Sequence, residues 1–339
     1  MFDFRSDTVT KPTQAMRAYM MDAEVGDDVY EDDPTLKQLE RHVAHLTGFE
    51  DALFVLSGTM GNQLAIMCHT QKGDGVLMHT NAHVNRYEVG AISLLSSVYP
   101  QLVHNDVGYL TTNDLHKYRG LDNIHFPKIR CVVVENALGD GRVVSINEMN
   151  DVIQQAHSDG YKVHMDGARL FNAHIALNAP LKEVIGQSDS LMFCLSKGLG
   201  APIGSMLCGS KSMIAQARRY RKMLGGGIRQ GGILAAAGLY ALEYHIDRLV
   251  EDHKRADLIA HHLVQTGYEV RLSHRDINMV YFKLQPHHNE TAWLNDAKDF
   301  GLLLSPSTQG WLRLVTHLDI NDEAIMRFVQ FIKAQKQLD

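Results

Sequence analysis

From about residue 50 to residue 245, apolar β-rich runs alternate with helical patterns, and this alternation narrows the possible folds more than any other feature of the chain. ALFVLSG is a short strand candidate, and TMGNQLAIMCHT after it opens a helix. RCVVVEN is a second strand. INEMNDVIQQAHSDG follows, with apolar residues near helical spacing and a glycine at its end. KVHMDG, SLMFCLSKG and SMLCGS continue the series. Repeated strand, helix, strand predicts an α/β fold, a mostly parallel sheet covered by helices on both faces. In such sheets ligands bind beyond the strand ends. After GGGIRQGGILAAAGLYALEY, the helical stretch HIDRLVEDHKRADLIAHHLVQTG leads to strand candidates EVRLS, NMVYFKL and WLRLVTH and a final helix, NDEAIMRFVQFIKAQKQ. The expected organisation is a large domain over 1–245 and a small α+β domain over 246–339. An N-terminal arm, 1–25, is expected against the small domain or a partner subunit.

Charge and composition exclude several classes. The net charge of −6 gives no overall basic field for nucleic acid or an anionic membrane. MFDFRSDTVTKP has no apolar core, so it is not read as a secretory signal, and ILAAAGLYAL is too short to span a bilayer. A cytoplasmic protein is the expectation. Cys68, Cys131, Cys194 and Cys208 form no C-x-x-C pair, and three of them lie in apolar segments as buried free thiols. The nineteen histidines are scattered without H-E-x-x-H; His42 and His45 lack a completing ligand, and His261-His262 and His287-His288 fall in polar segments. Most are read as surface residues, with no catalytic metal.

The chemistry concentrates around Ser196-Lys197-Gly198-Leu199. This lysine ends an apolar run and lies 31 residues after Asp166 of KVHMDGAR. A lysine amine can form a Schiff base with an aldehyde, and a carboxylate can hold a proton on a pyridine nitrogen, so the pair suits pyridoxal phosphate. The bland alternative is a surface lysine after a buried strand. Ser57-Gly58-Thr59-Met60-Gly61-Asn62 follows a strand and opens a helix, which suits a phosphate monoester; Thr59 could equally be a plain N-cap. Arg169 suits a two-point contact with a substrate carboxylate, or else a structural Asp–Arg pair. His83 and His125 could stack on a cofactor or move protons, or be ordinary surface or capped residues. Arg313 sits alone in an apolar strand, where a substrate carboxylate would partner it, with Ser6 adding a hydroxyl. RRYRKMLGGGIRQGG, with Lys222 and Arg229, reads as a solvated basic helix face, a nucleic-acid patch, or a loop carrying a cation to a neighbouring subunit's phosphate.

Taken together, FRSDTVTKPT, VGDDVYEDDP, SGTMGN, DGARLFNA, CLSKGLGAPIGS, RKMLGGGIRQGGILAAAGLYAL and LRLVTHLD resemble the low-specificity L-threonine aldolases, fold-type-I pyridoxal phosphate enzymes. The resemblance runs from near the first residue to the last fifty. It implies a transferase-like large domain, retro-aldol cleavage of L-threonine or L-allo-threonine to glycine and acetaldehyde, and a homo-oligomer, a dimer of dimers with shared sites. Lys197 would carry the cofactor and Asp166 pair with its ring nitrogen. Gly58, Thr59, Met60 and Ser196 would hold the phosphate, with Lys222 and Arg229 reaching in from the partner; Arg169 would also touch the cofactor, and Tyr30, reaching across too, the substrate. His83 would stack on the ring and His125 lie near the substrate side chain, while Ser6, Arg169 and Arg313 would bind the carboxylate. Two departures stand out. The family's E-N-T-H-N-G is here Glu135-Asn136-Ala137-Leu138-Gly139-Asp140-Gly141, an apolar replacement that raises racemisation or β-elimination as the alternative reaction. Glu31 stands where the family commonly has glycine.

Overall fold

The computed structural model describes residues 1–118 and 123–337. Its strands are β1 (Phe2–Asp3), β2 (Asp51–Val55), β3 (Gly75–His79), β4 (Tyr99–Val103), β5 (Ile129–Glu135), β6 (Lys162–Asp166), β7 (Ser190–Cys194), β8 (Ser205–Gly209), β9 (Glu269–Val270), β10 (Met279–Lys283), β11 (Leu302–Leu303) and β12 (Leu312–Val315). Seven form the main sheet, in the order β2-β8-β7-β6-β5-β3-β4. Strands β3, β7 and β8 are buried along their whole length, which is why their sequences run apolar without alternation: helices cover both faces. The neighbours from β4 to β7 pair in parallel, whereas β8 is antiparallel to both β7 and β2. The link 195–204 holds no helix, so it cannot supply the crossover that a parallel return would need.

Strands β3 and β4 were not expected from the sequence. GVLMH is five residues long, too short to separate from a helix segment by pattern. YPQLV contains Pro100, tolerated because β4 is the sheet edge. EVRLS is only partly a strand: Glu269–Val270 pair with β10, and Leu272–His274 turn into a 3-10 helix.

A second core lies toward the C-terminus, where β12-β10-β9 form an antiparallel sheet. Strand β1 pairs in parallel with β11, and Phe4 is buried in this core, its ring 5.8 Å from that of Phe328. The first residues of the chain are therefore stitched to its last third. The larger core lies between the main sheet and its covering helices and also takes in Ile277, Met279 and Val315.

Two surface expectations are corrected. His79, His164, His245 and His317 are buried, because each makes a hydrogen bond inside the fold that replaces water. RRYRK is not a free basic face: Arg218 pairs with Glu40 and Asp28, while buried Arg221 pairs with Asp28 and donates to the Phe54 carbonyl. Cys131, Cys194 and Cys208 are buried and Cys68 partly so, all as free thiols. Among the described residues no helix is long and apolar enough to cross a membrane.

Candidate active site

Two strands of the main sheet and one helix end on one cavity of about 320 Å³, a volume suited to a cofactor-sized ligand. Strand β6 brings Asp166 to its last position. Strand β7 runs on through Cys194 into a tight bend that carries Ser196 and Lys197. The helix Gly58–His69 opens on the same space. Its N-cap is Ser57, not Thr59: the Ser57 hydroxyl takes the Met60 amide and its carbonyl the Gly61 amide. The amides of Gly58 and Thr59, both on the cavity wall, are not used by the helix and remain for an anion. His83, from the short helix His83–Arg86, closes the wall. Among the described residues the Lys197 amine makes no salt bridge or hydrogen bond, while its carbonyl is held by Thr10 at 2.9 Å.

Behind this wall the polar groups are tied together. The Asn62 amide nitrogen donates at 2.8 Å to Asp166 Oδ2 and at 2.8 Å to Glu88 Oε1. Asp166 Oδ1 accepts the Ala168 amide at 3.1 Å. Glu88 accepts from Gln63 at 2.6 Å and meets His83 Nδ1 at 3.0 Å. That contact raises the His83 pKa above the ordinary imidazole value, against the effect of burial. In the sheet register Glu135 lies beside Asp166. Burial, and then the Asp166 charge, push the Glu135 carboxyl up to about 7. Its oxygens accept the His83 amide at 3.1 Å and the Gly139 amide at 2.8 Å. His83, Glu88 and Asp166 present ligand atoms within 4.8 Å of one another, yet the Asn62 amide already bridges the two carboxylates.

The profile of the beta-eliminating lyase family matches residues 3–285. Low-specificity L-threonine aldolase 1 of Arabidopsis thaliana is 41% identical over 329 residues, 94% of this chain and 91% of its own. The low specificity L-threonine aldolase of Escherichia coli O157:H7 is 40% identical, over 96% of both chains. The chain belongs to the low-specificity L-threonine aldolases. In fold it matches Leishmania major threonine aldolase with a TM-score of 0.86 at 18% identity, over 99% of this chain and 100% of that one. It also matches Sphingomonas wittichii serine palmitoyltransferase, with a TM-score of 0.77 at 16% identity, over 99% and 87%. These matches confirm the fold-type-I architecture.

Pyridoxal phosphate, the cofactor of this aldolase fold, suits the residues present. A Cβ on Gly58 would lie 3.0 Å from Cys194 Sγ and 3.1 Å from Met192 Cε, so the backbone at the mouth of the helix is packed closely against β7 and its end. The unengaged Lys197 amine, the Asp166 carboxylate and the two helix amides give the three kinds of group the cofactor requires.

Of the residues expected at the aldolase site, Gly58, Thr59, His83, Asp166, Ser196 and Lys197 line the cavity. The others lie elsewhere. The Met60 amide is spent on the cap. Arg169 is half-buried with its fork closed on Asp7, Nε to Oδ2 at 2.7 Å and Nη2 to Oδ1 at 2.6 Å, so its carboxylate contact is satisfied within the chain. The Ser6 hydroxyl caps a 3-10 turn, and Thr8 lines the cavity in its place. Arg313 donates to the Arg5 carbonyl at 3.1 Å. Tyr30 and Lys222 are exposed, and so is Arg229, which pairs with Asp27 at 2.7 Å. His125 lies on an exposed turn away from the cavity wall. Ala137 and Leu138 of the altered loop are buried and do not line the cavity either. The sequence reading missed Asp7, Asn62, Glu88 and Glu135. Asn62 lies within the quoted SGTMGN, and Glu135 heads the altered loop, but neither position signals a carboxylate partner.

Proposed function

We propose that this aldolase cleaves the Cα–Cβ bond of L-threonine, L-allo-threonine and related β-hydroxy-α-amino acids, releasing glycine and an aldehyde. The observation that carries the reading is that Lys197, Asp166 and the helix amides at Gly58 and Thr59 share one cavity wall. When bound, pyridoxal phosphate supplies an aldehyde that condenses with amines and a ring that accepts the electron pair of the broken bond.

The chain supplies the rest. Lys197 offers the amine that anchors the cofactor, and Asp166, oriented by Asn62 and the Ala168 amide, faces the ring nitrogen and keeps a proton on it. Gly58, Thr59 and Ser196 hold the phosphate. His83 covers the ring and takes the β-hydroxyl proton as the carbon–carbon bond breaks and the aldehyde carbonyl forms; a proton returned to Cα completes glycine. Arg313, with Ser6, binds the substrate carboxylate, and Arg169 joins it if Asp7 yields part of its fork. Tyr30, Lys222 and Arg229 act across a subunit boundary in a homo-oligomer, a dimer of dimers, working in the cytoplasm. Their exposure outside this chain's own cavity supports that role. Racemisation and β-elimination have no support here, since Ala137 and Leu138, the residues that suggested them, are not on the cavity wall.

The test is an assay of cofactor-loaded protein with both threonine diastereomers, scoring glycine and acetaldehyde together. Equimolar products are expected, and Lys197→Ala should abolish both the lysine-linked cofactor absorbance and turnover. Turnover near wild type in that variant, or D-amino acid or pyruvate in place of glycine, would overturn the reading.

A further inference from the structure

The hydrogen bonds behind the cavity have only one self-consistent set of directions. The end of Asn62 that faces the Glu88 and Asp166 carboxylates must be its NH₂, because a carbonyl there would face two acceptors. Asn62 Oδ1 is then the acceptor for His164, so His164 is protonated at Nε2, 3.0 Å away. His164 Nδ1 must accept the Ser190 hydroxyl proton at 2.8 Å. The Ser190 oxygen accepts in turn from His69 Nε2, also at 2.8 Å. Burial keeps both these imidazoles neutral, His164 driven down to about 3 and His69 to about 4, so no second ring proton disturbs the order. At the other end Glu88 can only accept, and the His83 proton therefore sits on Nδ1. Whenever the ring is neutral, His83 therefore has its lone pair on Nε2.

From this the geometry points to Glu88 as a positioning residue for the reaction: it holds His83 as the Nδ1–H tautomer, with Nε2 free as the base, and Asn62 ties that pair to Asp166. The inference rests on the reading of the site given above. Glu88 is fully buried at its side chain, and among the described residues its one salt bridge is to His83. The groups facing His83 are Glu88, Asp166 of β6, Glu135 of β5 through the His83 amide, and Lys197. The carboxylates favour the charged ring and Lys197 opposes it.

Glu88→Gln separates charge from shape. Gln63 Oε1 is buried without a partner, so turning the Gln63 amide over gives a glutamine at 88 its hydrogen bond. The variant should fold and keep its cofactor absorbance. Its kcat should fall roughly a hundred-fold, the scale of general-base catalysis. The acid limb of the kcat profile should move to lower pH, because His83 loses the carboxylate that favours its charged form. Ring ¹⁵N spectra of the wild-type holoenzyme, assigned with His83→Asn, should show His83 protonated at Nδ1, a readout that needs no fold-perturbing variant. Protonation at Nε2, or a Glu88→Gln enzyme with kcat and acid limb unmoved, would overturn the inference. Wild-type protein that yields no glycine from threonine would instead overturn the proposed reaction and leave the tautomer measurement standing.

Discussion

Asp7 shows how one buried charge can serve both stability and the site. Its burial opposes ionisation, yet the Arg169 guanidinium more than offsets this and holds the carboxyl down at about 2, with Lys197 and Arg313 adding to the field. A carboxyl lowered in the folded state stabilises the fold above its unfolded value of about 3.9, and the contribution is lost as pH falls through about 2. Asp7→Ala leaves the largely enclosed Arg169 without its partner and should cost about 3 kcal/mol at pH 7, the low end for a broken buried pair. Urea unfolding should show the gap between variant and wild type narrowing from about pH 4 toward pH 2. Nothing in RSDTVT tells that Asp7 rather than Ser6 turns inward to Arg169, because the two are separated by 162 positions and meet only through the fold. The same holds for Glu88, an unremarkable acid in RYEVG until Asn62, Gln63 and His83 surround it.

Among the turns and caps, the sequence was a better guide where the backbone demands a residue type. Glu31 follows the 3-10 turn Asp28–Tyr30 and sits at φ 58, the left-handed region. Glycine adopts this region without the Cβ clash that any other L-residue meets. Glu31→Gly should relieve about 1–2 kcal/mol of left-handed strain. It should return about 0.5–1 kcal/mol through the freer unfolded chain. A small net stabilisation, read as a slightly higher denaturation midpoint, is expected; a lower midpoint would show that Glu31 has a compensating role. The helix Gly58–His69 is the complementary case. Strand, glycine turn and helix were visible in order, but whether Ser57 or Thr59 caps it was not, because either hydroxyl could reach a free amide.

Assembly is where the expected roles of Tyr30, Lys222 and Arg229 are decided. If they complete a neighbouring site, mixing inactive Lys197→Ala with inactive Arg229→Ala should restore activity. One intact site per hybrid dimer gives about a quarter of the wild-type rate after random exchange. Mixtures as inactive as their components would mean that each chain acts alone. The order of strands and helices apart from β3 and β4, and the lysine and aspartate near strand ends, were legible in the sequence because local periodicity and chain order carry them. So was the family, carried by motifs spread along the chain. What lay beyond reach was every contact between distant segments: the β1–β11 pairing, the closure of Arg169 on Asp7, and the Asn62 joint between Asp166 and Glu88. These depend on side chains meeting in three dimensions, where burial removes water and makes each polar group find one particular partner. Periodicity records which face of an element is apolar, and holds no information about which buried carboxylate a given amide will meet.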